Sequence, residues 1–284
     1  MKYFLIAICL CFNILPTKCQ ETYFTLTNIL KFADHLKNDG DYIRAASEYQ
    51  RYLFLSKDSC NNKDSINFLI GRCYQKANNF GLARKYFNYT YQSLYFTENV
   101  KYQQAVILIQ QGNYLESIHY LDSSLQTIKI DSVKNKMNLL KSINYIYLHK
   151  WQDANKLINN IEINSNNRAC MQPISDIVQK SKSLKYKSPL LAGIFSTIIP
   201  GSGKLYVGRG QDAIYSFLLA GLCSWQSYEG FSKYGIRSFK GWAYFTIGAV
   251  FYTGNIYGSI VSAKVYNQSL DEGLVQQLNI SICF

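Results

Sequence analysis

The sequence predicts an all-α chain: a stack of about four antiparallel helix pairs over residues 20–168, followed by a small module of transmembrane helices over 188–267. Three observations predict it. Small and aromatic residues recur in register, 34 to 38 residues apart, through the first half. Apolar residues collect in the last third, punctuated by glycine. Charged residues make up only 17% of the 284 residues, against about 25% in an ordinary soluble domain.

The chain opens with Lys2 and an apolar run over 3–15 that stops at Pro16, the layout of an export signal. Thr17 and Cys19 are small residues at −3 and −1 of a cleavage point before Gln20. Residues 1–19 are therefore expected to be a signal peptide, with an uncleaved anchor as the other reading. Lys18, directly before Cys19, argues against a lipoprotein.

The repeats align on Tyr42, Phe80, Tyr114 and Trp151, at spacings of 38, 34 and 37. Three residues later stand Ala45, Ala83, Ser117 and Ala154, and nine earlier stand Ala33, Gly71, Ala105 and Ser142. All are small, as two helices require where their backbones meet. Large side chains flank them: Leu36, Tyr74, Leu108 and Tyr145 six residues before the aromatics, then Tyr49, Phe87, Leu121 and Ile158 seven after. The turns read Asn38-Asp39-Gly40-Asp41, Asn78-Asn79 and Gln111-Gly112-Asn113, rich in the residues that accept the left-handed backbone ending a helix. The fourth, His149-Lys150, lacks them and is the weakest.

These columns resemble the tetratricopeptide repeat (TPR), whose period is about 34. The resemblance covers roughly half the chain, without the proline that usually closes each repeat. It implies an α-solenoid, a right-handed superhelix whose concave face is lined by the first helix of each pair. On this chain that groove would present Lys37, Asn38, Arg72, Gln75, Lys76, Tyr102, Ile109, Ile143 and Tyr147. Basic at one end and apolar at the other, it would take protein or peptide ligands with an acidic end and an apolar stretch. The alternative is that these side chains form a solvated face and packing surface.

Residues 169–187 read as a basic linker, with Lys180, Lys182, Lys185 and Lys187, and 268–284 as a tail. Between them lie apolar segments at 190–199, 213–231 and 241–263. The last two approach the length of a span, about 20 residues; the first either spans or re-enters. Rows of small residues, Gly193/Thr197/Gly201 and Gly254/Gly258/Ser262, suit close helix packing in lipid. Trp225, Tyr228, Trp242 and Tyr244 fall where an aromatic belt would. Asn255 is the strongly polar residue deep in the third segment. The run from Pro200 to Gly208 is not a phosphate loop, because Ile198 takes the place of the first glycine and Leu205 that of the Ser or Thr. Pro200, Gly201, Gly203, Tyr206 and Gly208 resemble the Pro-Gly-x-Gly-x-x-Tyr-x-Gly motif of small bacterial membrane domains, and Gly254, Asn255 and Gly258 resemble the end of that module.

No catalytic chemistry is expected. His35, His119 and His149 are scattered, the eight cysteines form no CxxC pair, and no cofactor or metal is called for. Cys60, Cys73 and Cys170 either share a bridge in an oxidising compartment or, as favoured, stay as thiols. The net charge of +12 is spread over dispersed lysines, which argues for solvated faces and membrane flanks rather than nucleic acid. The expected function is a membrane-tethered, extracytoplasmic scaffold that binds protein partners in envelope assembly, secretion or surface machinery. The alternative is a membrane-embedded transporter or enzyme component, with Lys204 and Glu229 as its ionisable candidates.

Overall fold

The structure is a computed structural model that describes residues 24–56, 62–161 and 168–281. The expected signal peptide, Cys60 and the end of the tail lie outside the described residues. Among the described residues the chain is helical with no strand. It divides into two compact units, Met1–Leu148 with Asn159–Glu162, and His149–Ile158 with Ile163–Phe284.

The first unit holds α1 (Leu26–Asn38), α2 (Tyr42–Ser56), α3 (Lys63–Lys76), α4 (Phe80–Phe87), α5 (Leu94–Gln110), α6 (Tyr114–Leu125) and α7 (Asp131–Tyr147). Each helix packs on the next one or two in the chain: α1 on α2, α2 on α3, α3 on α4 and α5, α5 on α6 and α7, and α6 on α7. The small-residue columns are the reason these helices approach closely. Ala33, Ala45, Ala83, Ala105, Ser117 and Ser142 are wholly inaccessible to solvent. At the crossing of α3 and α4 a Cβ on Gly71 would stand 2.5 Å from the Phe87 ring, itself buried. The large columns fill the space alongside, with Tyr49, Phe87 and Leu121 also buried.

The turns close by one device. After α1, α3 and α5, the residues Gly40, Asn78 and Gly112 take φ of 84°, 58° and 77°. The amides of Asp41, Asn79 and Asn113 then reach back to the carbonyls of Leu36, Tyr74 and Leu108 at 2.9, 2.8 and 2.9 Å. This is the Schellman pattern, which satisfies carbonyls the helix end leaves open. The large residue six positions before each repeat's aromatic is thus also the carbonyl the turn bonds to. After α7, His149 occupies the same position with φ 57°. A side chain there costs on the order of 1 kcal/mol relative to glycine.

A second recurring device escaped the sequence reading. Asp64, at the start of α3, accepts the amides of Gln92 and Ser93 at 2.9 and 2.8 Å through Oδ2, just before α5 begins. Glu98, 34 residues later and 1% exposed, accepts the amides of Lys129 and Ile130 at 2.8 and 2.9 Å, just before α7. Each carboxylate satisfies amides at the entrance to the next repeat's first helix. Glu98 can stay buried because both its oxygens are bonded.

The second unit holds α8 (Trp151–Asn159, but for its last residue), α9 (Arg168–Ser181), α10 (Pro189–Ile198), α11 (Ser202–Tyr206), α12 (Gly210–Tyr234) and α13 (Phe239–Ser281). The 43-residue α13 is the spine, about 65 Å long at 1.5 Å per residue. Helices α9, α10, α11 and α12 all pack on it. Its C-terminal half is buried by Leu274 and Leu278 and carries polar anchors. Asp271 accepts from Trp151 Nε1 at 2.8 Å and the Tyr186 hydroxyl at 2.6 Å. Burial, then the Asp271 carboxylate, pushes the Tyr186 phenol up to about 12. The Asn267 carboxamide pairs with both backbone groups of Lys187, at 2.7 and 2.8 Å. Together these tie the linker before α10 to the spine.

Cys73 and Cys223 are buried free thiols, so Cys73 takes no part in the bridge considered above. Burial pushes the Cys73 thiol up to about 11, which keeps it protonated and unreactive.

The Gly71 crossing is open to test by thermal unfolding of the full chain. Gly71→Ala drives a methyl into the buried Phe87 ring and should cost about 1–3 kcal/mol. Gly81→Ala, whose Cβ meets nothing closer than 3.9 Å, should instead raise stability by up to about 1 kcal/mol through helix propensity.

Candidate functional site

The residues expected to line a groove in the repeats are brought together only in part. Gln75, Ile109 and Ile143 are 3%, 5% and 3% exposed and belong to the helix-to-helix interior. The reason is visible in α5, which packs on α3, α4, α6 and α7 and buries every residue from Ala105 to Ile109. With that stretch enclosed, the C-terminal half of α5 has no apolar stripe to offer a ligand. Gln75 donates to Gln110 Oε1 at 3.3 Å, a bond between first helices of adjacent pairs. Tyr147 is half-buried, stacked on Tyr114 with centroids 4.5 Å apart. Asn38 is exposed, while Arg72, Lys76 and Tyr102 are half-buried.

Lys37 has a structural duty. Its ammonium donates to Asp34 Oδ1 at 2.7 Å, and the same oxygen accepts from the Tyr49 hydroxyl at 2.5 Å. Burial of Asp34 favours its protonated form, but the Lys37 and Tyr49 hydrogen bonds outweigh that and hold the carboxyl below its ordinary value. Burial and the adjacent carboxylate push the Tyr49 phenol up. The basic end of the expected groove is therefore partly neutralised by α1 itself.

In the second unit the glycine motif builds a corner. Gly201 has φ 90°, and a Cβ there would lie 2.3 Å from the carbonyl oxygen of Ala213 in α12. A Cβ on Gly203 would lie 1.9 Å from the carbonyl oxygen of Ala192 in α10. Both contacts are backbone against backbone and admit glycine alone. Gly208, with φ 90°, ends α11 by the same Schellman turn, its successor Arg209 bonding Lys204 O at 2.9 Å. The Tyr206 hydroxyl accepts the Ser188 amide at 3.2 Å, and its ring lies under the Lys187 ammonium, 4.7 Å away. Pro200 and Gly201 form the bend between α10 and α11.

A buried hydroxyl chain locks this corner to the spine. The Gly203 amide donates to Ser196 Oγ at 3.0 Å; Ser196 Oγ stands 2.7 Å from Ser259 Oγ; and Ser259 donates to Asn255 O at 2.8 Å. Each hydroxyl has one proton, so the direction is fixed: Ser196 donates to Ser259. Ser196 and Ser259 were not singled out in the sequence, where a lone serine in an apolar run carries no signal of its own.

Gly254 and Gly258 behave differently from the expected packing row. A Cβ on Gly254 would meet nothing within 4 Å, and one on Gly258 only the Lys204 stem at 3.7 Å. They make no close helix crossing; Gly254 lines a cleft instead. The tight approach of α12 and α13 is at Gly230, whose Cβ would fall 2.6 Å from Gly241 N. The cleft encloses about 450 Å³ between α12 and α13, with Lys204, Asp212, Ser216 and Asn255 among its lining residues.

No described helix is long and apolar enough to cross a membrane. The expectation of spanning segments at 213–231 and 241–263 is corrected on that point. Gln226, Ser227 and Glu229 dilute α12, and Thr253, Gly254 and Asn255 dilute α13. The same helices nonetheless expose large apolar side chains in quantity: Leu190 70%, Ile198 73%, Trp225 68%, Tyr228 74% and Phe239 89%. Glu229, the acid considered for catalysis, is bonded to Lys233 and Lys240 at 2.6 and 2.9 Å. Among the described residues no cluster of His, Cys, Asp or Glu forms a metal site.

The Asp34 network makes a pH-dependent prediction. A carboxyl depressed in the folded state stabilises above its unfolded pKa, about 3.9, and that stabilisation is lost as pH falls through the folded value. The melting temperature of the wild type should exceed that of Asp34→Asn by a constant margin above about pH 5, and the margin should close on acidification. A margin independent of pH would assign Asp34 no ionic role. In comparisons with known proteins, no family model, curated protein or solved structure matches this chain.

Proposed function

We propose that the chain is a membrane-attached scaffold: an exported stack of TPR-type repeats that binds protein partners on the extracytoplasmic side, held to the bilayer by the second unit. The observation that carries the membrane half is the apolar surface of α10, α12 and the first half of α13. A soluble monomer rarely exposes a contiguous apolar patch beyond a few hundred Å². Lipid would cover these side chains without a partner protein, and Trp225 and Tyr228 are residues favoured at a membrane interface. The repeat half is supported by the small-residue crossings, the Schellman turns and the acid-to-amide clasps 34 residues apart. A stack of this kind offers extended surfaces to proteins. The buried Gln75, Ile109 and Ile143, and Lys37, which Asp34 engages, are left out of the proposed contact surface, which retains Asn38, Arg72, Lys76, Tyr102 and Tyr147.

The alternative, a membrane-embedded transporter or enzyme component, is favoured by one feature, the cleft beside Lys204. Its candidate acid, Glu229, is engaged in two ion pairs at the tip of the α12–α13 hairpin.

Flotation tests the membrane half. Full-length protein mixed with liposomes should rise with them through a density gradient and stay bound after alkaline carbonate and high salt. Protein left in the dense fraction, or released by salt alone, contradicts the proposal. For the repeat half, Arg72→Glu with Lys76→Glu should weaken capture of a partner recovered from membranes by about tenfold, near 1.4 kcal/mol, and unchanged capture contradicts it.

A further inference from the structure

The cleft between α12 and α13 contains a group that the packing alone leaves unexplained. Asn255 is 7% exposed, and both its carboxamide oxygen and nitrogen are buried without a hydrogen-bond partner. Leaving such a pair unsatisfied is costly, because each group has given up its water without gaining a partner. An apolar residue of the same size would avoid that cost. Asn255 lines the cleft together with Lys204, whose ammonium donates to Ser216 Oγ at 2.8 Å. Asp212 lines it too, but Arg209 holds its carboxylate at 2.6 Å. Lys204 is in no ion pair among the described residues, so its charge is the one left for a ligand.

The cleft is also graded along its length. Gly230 lies against Gly241 and Cys223 against Gly248, which fixes an antiparallel register between the two helices. That register brings Ser216 opposite Asn255, and Ala220 opposite Phe251. The Lys204 end is therefore polar, and the other end, with Leu219, Val250 and Phe251, is apolar.

We propose that this cleft binds the phosphate monoester head of an anionic amphiphile, with its acyl chain lying over Leu219 and Phe251. On binding, the Asn255 carboxamide turns from its enclosed position into the cleft, and its nitrogen and the ammonium of Lys204 donate to phosphate oxygens. The Asn255 oxygen accepts from the P–OH or from an adjacent glycerol hydroxyl. A carboxylate head accepts only and leaves that oxygen unpaired, and a quaternary ammonium head is repelled by Lys204. The proposal goes beyond the scaffold reading and concerns the second unit alone, so failure of protein capture by the repeats leaves it standing.

The test uses the full chain purified in neutral detergent. Tryptophan fluorescence follows unfolding, because Trp151, Trp225 and Trp242 all lie in the second unit. Dihexanoyl phosphatidic acid should raise the unfolding temperature saturably, while dihexanoyl phosphatidylcholine and dihexanoylglycerol should not. Lys204→Met and Asn255→Leu should each weaken the phosphatidic acid response by about tenfold or more. If Lys204→Met does not fold, Asn255→Leu carries the comparison, since it replaces an unpaired buried amide with an apolar side chain of similar size. A response to inorganic phosphate as strong as that to phosphatidic acid would support the phosphate site and assign it to a soluble ester. Equal responses to all three lipids, or wild-type affinity in the variants, would overturn the proposal.

Discussion

Both units depend on helices meeting closely at positions that have no room for a large side chain. In the repeats, the contact is made by alanine, serine and Gly71, wholly enclosed at the crossings of successive helices. In the second unit it is tighter: Gly203 against Ala192 O, Gly201 against Ala213 O, and Gly230 against Gly241. In the second unit the crossings are steep, because a single methyl group would meet backbone atoms that cannot rotate away. They fix the helices in place, and the polar details follow from the fixed geometry. The Gly203 amide reaches Ser196 Oγ because the corner lies against α10.

Much of the first unit was legible because its signal repeats. One buried alanine in a helix is uninformative; Ala45, Ala83 and Ser117 at matching positions, each followed by a large residue, are not. The turns were legible for the same reason, since Gly40, Asn78 and Gly112 are residue types that accept positive φ. His149 was judged the weakest turn residue, yet it adopts that conformation too, at φ 57°. There the repeat geometry overrides local preference. The clasps by Asp64 and Glu98 were not legible: an acid near a helix start has several common roles, and which amides it meets is decided a repeat away.

The candidate groove was less legible than the fold. Assigning outward positions by analogy placed Ile109 and Ile143 on a surface, and the stacking of α5 and α7 between their neighbours buries them. In the second unit, the glycine motif was recognised as a unit but its parts divide by function. Gly201 and Gly203 make contact, Gly208 makes a turn, and Gly254 makes space. Sequence spacing alone does not distinguish a glycine that lets two helices touch from one that keeps a cleft open. Asn255 stands out in the sequence as a polar residue in an apolar segment, but only the structure shows that its carboxamide has no partner.

The most direct test of the claim that side-chain-free crossings hold the chain together is at Gly203. A Cβ there would stand 1.9 Å from Ala192 O, a backbone atom with no freedom to yield. All three tryptophans report on the second unit. Gly203→Ala should lower the stability of the tryptophan-reported transition by about 3 kcal/mol or abolish it. An unchanged tryptophan-reported midpoint in Gly203→Ala would contradict it.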